Sequence, residues 1–143
     1  MPSDSTRSAR LAVVALGAAS ALVSTAFVLV LVLRLDALFF TLAEPLFSAP
    51  HPPHAMSDDT RMAQCILWGL FGGWGVAMAW AFARVPTVAI REVSRATMAG
   101  LAVWYVLDSG GCLLSNAPGN AALNTVYMVA ITIPLVRLMR REA

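Results

Sequence analysis

Histidine is almost missing from this chain. The only two, His51 and His54, fall together in a proline-rich stretch. No apolar run contains one. That argues against a haem or pigment held by histidine within a membrane and against a serine or cysteine nucleophile paired with an imidazole. Cysteine is nearly as scarce. Cys65 and Cys112 stand far apart, with no Cys-x-x-Cys pair of the kind expected of a thiol oxidoreductase. Lysine is absent and all ten basic residues are arginine, which points to GC-rich codon usage more than to chemistry. There is no glycine-rich phosphate loop, and no apolar run carries paired carboxylates. The net charge of +2 is too small to argue for nucleic acid. No catalytic residue, cofactor or metal is therefore expected. His51-Pro-Pro-His54, with Asp58 and Asp59 nearby, is the one grouping of metal-ligating types. In a proline-rich connection, two such histidines are ordinarily just solvated.

What the chain does have is apolar length. Hydrophobic residues make up 59% of its 143 residues and charged residues only 13%, against about 25% charged in a soluble domain. Mean hydropathy is +0.73. Leu11 to Leu33 carries no charge, and a spanning helix needs roughly 20 apolar residues. Arg7 and Arg10 ahead of this run, with Ala19-Ser20-Ala21 inside it, faintly suggest a cleaved signal peptide. Such a core is only about 7–15 residues long, whereas this one continues through Val28–Leu33, so a retained span is expected. Further spans are predicted at about 62–83, 96–114 and 120–138. The expected fold class is all-α: an integral membrane, antiparallel four-transmembrane-helix bundle, with residues 1–143 forming one membrane domain.

Arginine placement predicts its orientation. Arg7 and Arg10 precede the first span. Arg84, Arg91 and Arg95 fall between the second and third, and Arg137, Arg140 and Arg141 close the chain. Arg34 and Arg61 flank the first connection, and the last has no basic residue. Both termini and the middle connection are thus expected in the cytoplasm, in a bacterial cytoplasmic (inner) membrane. In the long outer connection, Phe39, Phe40, Leu42, Leu46 and Phe47 suggest a short interfacial helix ended or kinked by Pro45. Asp58 or Asp59 is expected to cap the second span.

Helices in lipid meet through small residues. Gly69, Gly73, Ala77 and Ala81 recur every four residues and form the expected packing stripe. Gly72 and Gly75 make a second small patch, and Gly17, Ala21 and Thr25 a weaker stripe on the first span. Such stripes pack a bundle internally or pair two copies. Trp68, Trp74, Trp80 and Trp104 read as packing and lipid-contact residues.

Asp108 is the only acid inside a predicted span. Intramembrane carboxylates face the bundle interior and find partners. Asp108, Cys112 and Ser115 share one helical face, with Tyr105 a turn inward. Across a short turn, Asn120, Asn124 and Tyr127 share another. Asn120 is the expected N-cap of its helix. The candidate polar site comprises Asp108, Ser109, Cys112, Asn116, Asn120, Asn124 and Tyr127, with an Asp108–Asn124 bond at its centre. Gly110-Gly111 is a weak helix interior and could end the third span early. Topology puts Cys65 and Cys112 near the same face; a disulfide would need their Cα atoms within about 7 Å, and two buried thiols acting as small apolar groups is the simpler reading.

Trp104-Tyr-Val-Leu-Asp108-Ser109, followed by Asn120, Asn124 and Pro134-Leu135, together with Gly72-Gly-Trp-Gly75, resembles a pattern in small uncharacterised bacterial four-helix membrane proteins. The resemblance covers about residues 69–135. Where that pattern commonly has serine this chain has Cys112, so the thiol falls outside it. The resemblance implies the fold and no activity. The expected role is non-enzymatic: a small structural or accessory protein whose partners are the lipid bilayer and other membrane proteins or itself. The alternatives are proton, ion or small-solute transport through Asp108, and thiol redox chemistry at Cys65 and Cys112.

Overall fold

A computed structural model describes residues 4–43, 56–115 and 117–140. Among them the chain is helical, with no strand. The elements are α1 (Asp4–Val32), α2 (Asp36–Ala43), α3 (Asp58–Arg84), α4 (Ile90–Leu114) and α5 (Pro118–Arg140), with a 3-10 turn at Thr87–Ala89 before α4. Four helices are long and apolar enough to cross a membrane. Each begins two to seven residues before its apolar run, because polar residues that lipid would reject still extend a helix into water.

Local chemistry explains where the helices stop. α1 closes on Arg34 in the left-handed region, at φ 56°. The Arg34 N–H reaches the Leu31 carbonyl at 3.1 Å and the Leu35 N–H reaches Val30 at 3.0 Å. This Schellman pairing satisfies carbonyls the helix would otherwise leave free. α3 is capped by Ser57, not by Asp58 or Asp59: the Ser57 hydroxyl accepts the Thr60 N–H at 3.2 Å. The two aspartates fall in the first turn instead, where they complement the helix dipole. Pro86 stops α3 by withholding an N–H. α4 runs through Gly110 and Gly111 to Leu114, so the glycine pair does not end it. Dry surroundings favour the closed backbone ladder over an exposed one. α5 opens on Pro118, a residue suited to the first helical position. Asn120 is therefore in the first turn and is not the cap.

α1 packs along α3, α4 along α5, and α1 also meets α5. In the first pair, contacts rise along α1 as they fall along α3. Arg10 donates to the Phe82 carbonyl, Gly17 lies against Gly75, Ser24 against Gly72, and Leu31 against Arg61. A Cβ on Gly17 would stand 2.7 Å from the Gly75 carbonyl oxygen, and one on Gly75 equally close to that of Gly17. Glycine is what allows these backbones to touch. The expected stripe is not the one used. A Cβ added to Gly69 or Gly73 would meet nothing within 4 Å, and Ala77 is exposed. Gly72 and Gly75, the second patch, form the seam, because their face of α3 matches Gly17, Ser20 and Ser24 on α1. Thr25 turns outward and bonds its own helix at Ala21.

Between the two pairs sits an aromatic cluster. Tyr127 of α5 lies 5.8 Å from Phe71, 6.4 Å from Trp74 and 5.9 Å from Trp104, centroid to centroid. It thereby joins α3, α4 and α5, and its hydroxyl lies 3.1 Å from Ser20 Oγ on α1. Trp68 stacks on Phe27 at 4.2 Å. Three of the four tryptophans are thus interior contacts, while Trp80 is 65% exposed. Between 11% and 28% of the most apolar stretch of each long helix is buried. The remaining apolar surface calls for an apolar solvent.

Candidate functional site

The α4–α5 turn brings two short polar faces together. Asp108 is six residues from the end of α4, about 9 Å along the axis. Asn124 is six residues into α5. The equal counts set them level. Asn124 Nδ2 donates to Asp108 Oδ2 at 2.5 Å and approaches Ser109 Oγ at 3.4 Å. Asn120 Nδ2 reaches Cys112 Sγ at 2.8 Å, and that thiol lies 4.0 Å from Asp108 Oδ2. Ser109 and Asn124 are each 8% exposed, and Asp108 is half-buried. Of the expected residues, Asp108, Ser109, Cys112, Asn120 and Asn124 assemble. Tyr127 does not join them. Its ring lies a turn beyond Asn124 and packs, half-buried, into the aromatic cluster, where its hydroxyl meets Ser20. Tyr105 pairs with Thr125 at 2.8 Å. Asn116 lies outside the described residues, as do Glu44, Pro45, Leu46, Phe47, His51 and His54.

Chemically this is a chain of donors and acceptors. The carboxylate takes an amide N–H, which is the stronger, charge-assisted kind of bond. Nothing in it resembles a nucleophile with its base. Among the described residues, no three His, Cys, Asp or Glu side chains group to hold a metal. Cys65 and Cys112 are both free. Cys65 packs beneath α2 with Leu31, Phe39 and Met56, whereas Cys112 faces Asn120.

A second polar site emerges only in three dimensions. Arg61, one turn into α3, has a side chain only 11% exposed. Its guanidinium takes Asp36 with two bonds, at 2.5 and 3.0 Å. It also donates to the Leu31 carbonyl at 3.1 Å and the Met56 carbonyl at 3.3 Å. One side chain thus ties the end of α1, the start of α2, residue 56 and the start of α3. The Met56 N–H completes the Asp36 shell at 3.0 Å. The Arg61 hydrogen bonds, and after them the Met56 N–H, hold the Asp36 carboxyl below its ordinary range. Arg34 and Asp58 add an exposed bridge at 3.0 Å. The sequence does carry a signal: Asp36 and Arg61 each stand just outside an apolar run. But a flanking arginine reads first as a topology marker, and nothing in a linear sequence pairs residues so far apart. α2 carries Phe39 and Ala43 inward onto this corner and leaves Leu38 and Leu42 exposed, as an interfacial helix would.

No protein-family model, curated protein or solved structure matches the chain.

Proposed function

We propose that this chain is a small polytopic protein of the bacterial cytoplasmic membrane with a structural, accessory or interaction role and no catalytic chemistry of its own. In this reading its four long helices form an antiparallel transmembrane bundle. Both termini and the α3–α4 turn face the cytoplasm, following the arginine distribution. The observation that carries the role is how the polar groups are spent. Asp108, Cys112, Asn120 and Asn124 bond one another across α4 and α5, and Arg61 and Asp36 do the same at the α1–α2–α3 corner. A group needed for chemistry is usually held poised for a substrate; these bond one another between helices instead. The bilayer is the first partner, and other membrane proteins or a second copy are the next. Purification from native membranes in mild detergent tests this. A partner or a self-associated particle is expected, and a strictly monomeric, partner-free particle counts against the role.

A second reading has one observation in its favour. Among the described residues, both bonds to Asp108 reach Oδ2, which leaves Oδ1 open to a proton or cation. If Asp108 conducts, Asp108→Asn abolishes flux in proteoliposomes. Unchanged flux removes that reading.

A further inference from the structure

We infer that the arginine-rich end of the bundle is a docking surface for the phosphate headgroups of anionic phospholipids. The placement rests on contacts. Arg10 of α1 donates to the Phe82 carbonyl near the close of α3. Ala9, Phe82, Ile90 and Leu138 belong to one core cluster. Arg7, Arg84, Arg91, Arg137 and Arg140 each lie within two residues of one of these four, so all five gather at the same end.

The charge there is uncompensated. Among the described residues, none of these five arginines forms an ion pair. The acids described at this end are Asp4 and Glu92, and Glu92 is taken by Arg95 at 2.6 Å. Arg91 Nε is buried with no acceptor. α4 also opens here without a side-chain cap, so its dipole adds positive potential. The opposite end differs in kind. Its two arginines, Arg34 and Arg61, are each matched by an aspartate, and Asp59 tips the balance negative.

A phosphate is the group that answers such a surface, since a guanidinium takes it with two parallel bonds. A lipid source fits better than an acidic protein. The same helices expose apolar side chains along their flanks, Leu11 among them, and Val88 at the tip of the α3–α4 turn is 83% exposed. Val88 sits between Arg84 and Arg91, so an exposed apolar side chain and two guanidiniums share this rim. Headgroups would therefore encircle this end of every molecule. Juxtamembrane arginines favour anionic over neutral lipid by roughly fivefold each.

The inference rests on the bilayer placement proposed above. The test uses the full chain in nanodiscs of phosphatidylcholine, alone or mixed with phosphatidylglycerol, reading lipid retained on extraction and the thermal midpoint. Wild type is expected to enrich phosphatidylglycerol and to melt higher in the mixed discs. Arg91→Gln should lower the enrichment about fivefold. The combination Arg84→Gln, Arg91→Gln and Arg137→Gln should abolish it, while Arg34→Gln at the other end keeps it. A wild type that enters both discs without discriminating overturns this inference alone, as does equal enrichment by the triple variant. Binding of an acidic protein at this end, with no lipid preference, overturns it as well. A chain that enters neither disc overturns the bilayer placement with it.

Discussion

Where α1 meets α3, backbone lies on backbone: Gly17 and Gly75 touch with no side chain between them, and Ser24 sits over Gly72. Where α4 meets α5, side chains do the joining, through Asp108, Asn124, Asn120 and Cys112. The first seam gains dispersion over a long contact and tolerates no added atom. The second gains a few directed bonds between side chains. Lipid offers no hydrophobic push between helices, so packing and hydrogen bonds are the two means left. This chain uses one for each pair and an aromatic cluster to join the pairs.

Removing the joint should separate the two regimes. Tyr127→Ala empties the centre of the aromatic cluster and is expected to cost about 3–5 kcal/mol, measured by unfolding in mixed detergent micelles. Tyr127→Phe loses only the Ser20 contact and should cost about 0.5–1.5 kcal/mol. Equal losses would mean the ring is not what holds the pairs together. The seam comes next. Gly75→Ala pushes a methyl into the Gly17 carbonyl and should cost about 1–3 kcal/mol. Gly73→Ala, in open space, should be neutral or gain up to about 1 kcal/mol from helix propensity. The reverse order would place the contact on the Gly69–Gly73 face.

The smallest effect is a pH dependence confined to acid. Asp36 has a folded pKa below its ordinary 3.8. Its contribution is therefore complete above that value and fades as pH falls toward the folded one. Unfolding followed from pH 7 to pH 3 should show stability dropping at the acid end, and Asp36→Asn should flatten that drop. An unchanged profile in the variant would assign the acid sensitivity elsewhere.

Much of this is legible in the sequence, for reasons particular residues make plain. The long helices are visible because a bilayer demands some 20 apolar residues each, and this requirement is local. Asp108 and Asn124 can be paired because a short turn makes equal counts from it equal depths. The α1–α3 seam cannot be read the same way. α3 carries small residues on two faces, Gly69–Gly73 and Gly72–Gly75, and only the position of α1 decides between them. Ser57 does not stand out as the cap because four acceptor residues, Ser57 to Thr60, stand in a row and backbone conformation chooses among them. Arg61 is hidden because its partners come from three separate segments. Tyr127 shares a helical face with Asn120 and Asn124, yet one turn of depth is enough to move it from amides to aromatics.

If the polar side chains inside the apolar helices hold the protein to itself, Asp108 and Asn124 must stabilise it jointly. A double-mutant cycle of Asp108→Ala and Asn124→Ala, followed by unfolding from a lipid environment, measures that joint term. A favourable coupling of about 0.6 kcal/mol, and no more than about 1.7, is predicted. Strict additivity of the two substitutions would contradict it.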